Sequence, residues 1–298
     1  FLPSALDPTV FDERLLRQLE RLKLLMQQPA RGGLKGGRRS VKRGQSVEFA
    51  DFRDYALGDD LRLLDWNVLA RLERLFIKLY VEEEDVTIHL LLDTSASMAA
   101  EDGGKLVFAK RAAAALGYIG LASEDRVAVT ALAGRVGRRQ IALRGSGRVL
   151  RLLAALSAID ASQGQTDLLA AARHAGAQIT GRGVVVLLSD LLDPAADRVI
   201  RDLAATGSEL IVLHVLSPAE ADPPLEGDLR LVDAETGAGV DVTADLATLD
   251  GYRARLAAWQ AGLADVAAKR RATYVPLTTD LPLADLVFAE LRRRRVLG

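Results

Sequence analysis

Residues 87–100 read TIHLLLDTSASMAA. An apolar run ends in Asp93, and hydroxyls follow at alternate positions, Ser95 and Ser97. An apolar stretch of this length, with no polar alternation, predicts a strand covered on both faces, as in a parallel sheet flanked by helices. An aspartate that closes such a strand stands where open α/β sheets bind ligands, beyond the carboxyl ends of the strands.

The same pattern recurs along the chain. GVVVLLSD at 183–190 is a second buried strand ending in aspartate, and ELIVLHVLS at 209–217 is a third. Helical stretches separate them: KLVFAKRAAAALGYIGLA from 105, RVLRLLAALSAI from 148, TDLLAAARHAGAQI from 166 and AADRVIRDLAAT from 195. RVAVTALA and VGRRQIAL flank Gly134 and predict a hairpin. A long helix over 245–271, a strand TYVPLTT and a closing helix LADLVFAELRRRR complete the pattern. Alternating strands and helices predict an α/β fold with a doubly wound, mostly parallel, Rossmann-like sheet over 86–298. A small polar β-hairpin insertion near 225–244 interrupts the rhythm. Residues 1–85 form an elaborated N-terminal region: a helix at 11–28, a basic glycine-rich segment from Arg31 to Ser46, and a small β-containing part with a strand at 75–82. Trp66 is expected to pack within that part.

Composition narrows the function. The 298 residues are 49% hydrophobic and 27% charged, ordinary for a globular protein. Lys plus Arg (39) balances Asp plus Glu (40), which argues against a dedicated nucleic-acid binder. With no cysteine, disulfides, thiolate metal sites and cysteine nucleophiles are excluded. No apolar run approaches the ~20 residues that span a bilayer. The first residues, FLPSALDPTVFDERLL, do not read as a signal peptide, because no basic flank leads into an apolar block. A cytoplasmic protein, monomeric or weakly oligomeric, is the expectation.

Asp93, Ser95 and Ser97 can converge on one point at the strand end. Thr166, where a loop enters a helix, supplies a third hydroxyl, and Asp190 a second carboxylate. All five are hard oxygen donors, suited to Mg²⁺, with Mn²⁺ or Ca²⁺ as alternatives, rather than zinc. An ion held mostly by neutral hydroxyls stays electrophilic and invites an anionic ligand, such as a partner's glutamate or aspartate. The plain alternative is that the serines cap a helix after the strand. Asp167 and Asp193 read as capping or loop residues, and His89, His174 and His214 as packed or surface residues without ligand spacing.

DTSAS at 93–97, the threonine of GQTDLL and the aspartate of LLSD resemble the metal-ion-dependent adhesion site of von Willebrand factor A domains. That resemblance implies a Mg²⁺ site of Asp93, Ser95, Ser97, Thr166 and Asp190. The chain is also similar to the bacterial domain-of-unknown-function family fifty-eight. It carries that family's EF-x-D-x-R-x-Y-x-x-GD stretch at 48–59, its DW-x-x-x-AR stretch at 65–71, and then the metal motif, with Leu57 where proline is frequent. Members often accompany MoxR-type AAA+ ATPases, which implies such an ATPase as partner.

Enzyme readings fit less well. There is no G-x-S-x-G elbow and no P-loop. An aspartyl-phosphate phosphatase would want a second aspartate two residues after Asp93, where Ser95 stands, and a lysine to balance phosphate charge, which the sequence does not make evident. The expectation is a non-enzymatic binding module. A Mg²⁺-dependent phosphatase-like hydrolase and a structural protein with an unused motif are the alternatives.

Overall fold

The computed structural model describes residues 47–56, 64–66, 68–69, 74–82, 86–100, 104–161, 166–181, 183–232 and 237–286. The expected helix at 11–28, the basic segment from Arg31 to Ser46, and most of the closing helix lie outside them. By compactness the chain divides into a smaller unit, Gly37–Asp85, and a larger one that contains Val86–Gly298.

In the smaller unit, β1 (Val47–Asp54) and β2 (Phe76–Glu82) form an antiparallel ribbon with a bulge between Phe49 and Asp51. Leu64 bridges to Ile77 of β2. The Asp65 carboxylate accepts from the Val68 amide, a helix-start bond. Trp66 is not packed as expected but 64% exposed. Its neighbour Asp65 is the residue of the DW pair that turns inward.

The larger unit is built on a six-stranded sheet. Its strands are β3 (Thr87–Asp93), β4 (Arg126–Ala133), β5 (Val136–Arg144), β6 (Gly183–Ser189), β7 (Glu209–Leu216) and β10 (Thr273–Thr278). Their order across the sheet is β10-β7-β6-β3-β4-β5. All neighbours are parallel except β5, which turns back on β4 through Gly134, whose φ of +58° suits glycine. A separate antiparallel ribbon, β8 (Gly227–Val232) with β9 (Gly239–Ala244), forms the hairpin between β7 and β10.

The continuous apolar runs are explained by burial on both faces. Ile88, Leu90 and Leu92 of β3 face one core with Val184, Val186 and Leu188 of β6. Leu91, Val185 and Leu187 face the other. Helices α1 (Gly104–Ala122) and α2 (Val149–Ser157) cover the first face. Helices α3 (Leu168–Gly176), α4 (Ala196–Ala204) and α5 (Leu246–Lys269) cover the second. The result is a mixed α/β, Rossmann-like sandwich with a mostly parallel central sheet. Among the described residues no helix is long and apolar enough to cross a membrane.

The topology fixes where a site can form. From β3 the chain moves outward to β4 and β5, then returns to the other flank of β3 to lay down β6, β7 and β10. Strand order therefore reverses between β3 and β6, and the carboxyl ends of these two strands border the crevice where such sheets hold ligands.

Candidate metal centre

Asp93 is the last residue of β3 and Asp190 the first after β6, so both stand at that reversal point, each 1% exposed. The Asp93 carboxylate is held from two sides. Its Oδ1 accepts from the Ser95 amide at 2.9 Å, and its Oδ2 from the Ser189 hydroxyl at 2.5 Å. The second bond crosses from β3 to β6. Thr94 ties the loop to β4, its amide and hydroxyl both donating to the Leu132 carbonyl.

The serines do not act as caps. Ser95 precedes a single helical turn, Ala96–Ala99, but makes no side-chain capping bond. Its Oγ lies 3.0 Å from the Ser97 Oγ instead. Two ligands in adjacent positions of an octahedron of about 2.1 Å radius stand about 3.0 Å apart. The pair thus has the spacing of one octahedral edge. The Asp93 carboxylate, with about four acceptor positions, also keeps capacity beyond the bonds it takes from Ser95 and Ser189. Among the described residues there is no group of three or more His, Cys, Asp and Glu able to hold a metal. The candidate set has two carboxylates with hydroxyls, which fits a hard ion such as Mg²⁺ and not zinc.

Thr166 arrives from a different loop. It is 7% exposed, two residues before α3, and the next residue's amide donates to the Gly134 carbonyl at 2.8 Å. That bond fastens the α3 entry to the β4–β5 turn, at the same carboxyl end of the parallel strands as Asp93. Asp167, not Thr166, caps α3, its carboxylate accepting from the Ala170 amide at 2.9 Å. Asp193 likewise accepts from the Ala195 amide ahead of α4. Thr166 lines an open cleft of about 480 Å³ with Arg135, Asp167, Asp193 and Arg198, in which Arg135 pairs with Asp167 at 3.4 Å. Direct contacts join Asp93, Ser95 and Ser97; Asp190 reaches Asp93 through its charge; and Thr166 lies at the same carboxyl end of the sheet.

Burial, then the negative charge of Asp190, pushes the Asp93 carboxyl up to about 6, against the pull of the Ser189 and Ser95 hydrogen bonds. A bound cation would reverse that balance and hold Asp93 ionised.

Lys105 is the residue that sequence reasoning missed. It is the second residue of α1, 1% exposed, and its Nζ donates to Asp190 Oδ2 at 2.7 Å and to Glu220. Burial alone would lower its pKa, but the charges and hydrogen bonds of Asp190 and Glu220 outweigh this and hold it above the usual lysine value. Asp190 therefore has one oxygen on an ammonium, while its Oδ1 accepts from the Leu192 amide at 3.2 Å. Nearby, His214 is buried on β7 with Tyr274 Oη 2.5 Å from its Nδ1 and Trp259 edge-on to its ring. Burial pushes its pKa down to about 4, so it is neutral at physiological pH.

A protein-family model described as "Protein of unknown function DUF58" matches residues 51–261, more than two thirds of the chain. The chain belongs to the DUF58 family. Relatives of this family member include "Uncharacterized protein Rv1480" of Mycobacterium tuberculosis (strain ATCC 25618 / H37Rv), 30% identical over 312 residues, covering 99% of this chain and 95% of the relative. "Uncharacterized protein Mb1516" of Mycobacterium bovis gives the same figures. Among solved structures, the "conserved hypothetical protein BatB from Bacteroides thetaiotaomicron" is 20% identical with a TM-score of 0.46, covering 70% of this chain and 98% of that one.

Proposed function

We propose that this DUF58 chain is a divalent-metal-dependent protein–protein interaction module of the cytoplasm. Mg²⁺ would be held by Asp93, Ser95, Ser97, Thr166 and Asp190, and would complete its coordination with a carboxylate from a partner protein. One observation carries the reading. At the sheet's reversal point, the Ser95 and Ser97 hydroxyls are spaced as one octahedral edge beside a buried aspartate. The resemblance to the adhesion site of von Willebrand factor A domains supports it. So does the open cleft beside Thr166, which leaves room for a partner segment to approach it.

On the family resemblance, the partner is a MoxR-type AAA+ ATPase, with this chain as its adaptor. A hydrolase has less support. The lysine a phosphatase would need exists in Lys105, but two carboxylates already hold it, and Ser95 stands where the acid would be. The test is capture of a purified MoxR-type ATPase by immobilised wild type and by Asp93→Ala, in Mg²⁺ and in chelator. Capture that needs both Mg²⁺ and Asp93 is expected. Capture indifferent to chelator and to the substitution would overturn the mechanism.

A further inference from the structure

The ammonium of Lys105 is a full charge inside the candidate site, and the geometry leaves it little freedom. Besides Asp190, it holds Glu220, which is itself fixed. Glu220 Oε2 accepts from the Ser217 amide at 2.8 Å, and its own amide donates to Ser217 Oγ at 3.1 Å. Tyr252 Oη of α5 donates to the Glu220 carbonyl at 2.5 Å. These bonds lock the turn Pro218–Ala221 into a capping box, so the lysine is gripped from two strand ends at once.

The charge count follows from those contacts. With carboxylates ionised, Asp93, Asp190 and Glu220 contribute three negative charges and Lys105 one positive, a net of two negative. One divalent ion brings that cluster to neutrality. Without the ammonium the ion-loaded cluster would keep one negative charge, which at such short range in a buried setting repels an incoming carboxylate.

Resting on the metal reading above, we propose that Lys105 sets the charge of the site. It weakens the hold of the protein on its own ion and so leaves the loaded centre neutral, ready for a partner's carboxylate. Lys105 is thus a positioning residue that acts through Asp190 and Glu220. A merely structural ion pair makes a different prediction: its loss lowers stability and leaves metal affinity alone.

The experiment titrates Mn²⁺ into the full chain by calorimetry, with circular dichroism to confirm folding. Lys105→Met should bind Mn²⁺ at least tenfold more tightly than wild type. Lys105→Arg, which keeps the charge, should stay within about threefold. Glu220→Gln should bind severalfold more weakly, because the ammonium is then less compensated. A folded Lys105→Met with unchanged or weaker affinity, beside a wild type that binds, overturns this proposal and leaves the metal reading standing. Should Lys105→Met fail to fold, Glu220→Gln decides: weaker binding supports the proposal and unchanged binding overturns it. Absence of binding to wild type and Lys105→Met alike overturns both readings. Binding to Lys105→Met alone supports the role of Lys105 and overturns the metal reading for the native site.

Discussion

At the scale of single residues, the candidate centre depends on groups from three separate segments meeting at the carboxyl end of the sheet. Asp93 closes β3 and its serines follow in the next loop, Asp190 comes just after β6, and Thr166 from the entry to α3. If they surround one ion, substitutions far apart in sequence should fail alike. Mg²⁺ at about 100 times its dissociation constant should stabilise wild type by about 2.7 kcal/mol, provided the unfolded chain does not bind. For a domain of this size that is a melting increase of roughly 5–11 °C. Asp93→Ala and Thr166→Ala should each remove most of it, with Asp190→Ala a smaller loss if that residue acts through water. Ser123→Ala, exposed just past the far end of α1, should keep it whole. Melting curves with and without Mg²⁺ decide the matter. A shift retained in Asp93→Ala would place the ion elsewhere.

At the scale of elements, the packing of helices on the sheet sets where those residues can be. Gly137 of β5 lies against α3: a Cβ there would stand 2.6 Å from Ala175 Cβ and 2.9 Å from the Ala171 carbonyl oxygen and the Ala175 amide nitrogen. Two of these are backbone atoms and cannot swing aside. Gly137→Ala should therefore push α3 outward at a cost of about 1–3 kcal/mol, read as a lower denaturation midpoint. Because Thr166 precedes α3, the Mg²⁺ increment should shrink as well. A variant as stable as wild type would show that the contact yields. These packing relations also mark what could be read from sequence. The strands were legible because burial on both faces erases polar alternation, and Asp93 and Asp190 were legible because they end such runs. The cap of α3 was legible too: Asp167 read as a capping residue, and its carboxylate accepts from the Ala170 amide. Lys105 was not legible at all. It opens an alanine-rich helix like any solvated lysine, and its partners lie 85 and 115 residues away. Trp66 misled for a related reason, since an aromatic beside a buried aspartate need not share its burial.

At the scale of the whole molecule, two buried groups tie stability to pH in opposite directions. Folded Asp93 keeps its proton up to about pH 6, whereas the unfolded chain releases it near the ordinary 3.8. Across that window the native state binds more protons, so raising the pH lowers the stability of the metal-free protein. His214 works the other way. It stays neutral in the fold down to about pH 4, whereas the unfolded chain takes up a proton below its ordinary 6.5, so raising the pH increases stability. In the metal-free protein the two effects offset each other, and the melting temperature should change little between about pH 4 and 6. Mg²⁺ binds the ionised form of Asp93 and cancels the first effect, leaving that of His214. With saturating Mg²⁺ the melting temperature should therefore climb with pH across the same window. The Mg²⁺ increment should widen up to about pH 6 and hold constant above it. Scans in matched buffers with Mg²⁺ or chelator measure both curves. An increment of the same size at every pH would mean that no proton leaves Asp93 when the ion binds, and would remove Asp93 from the coordination shell.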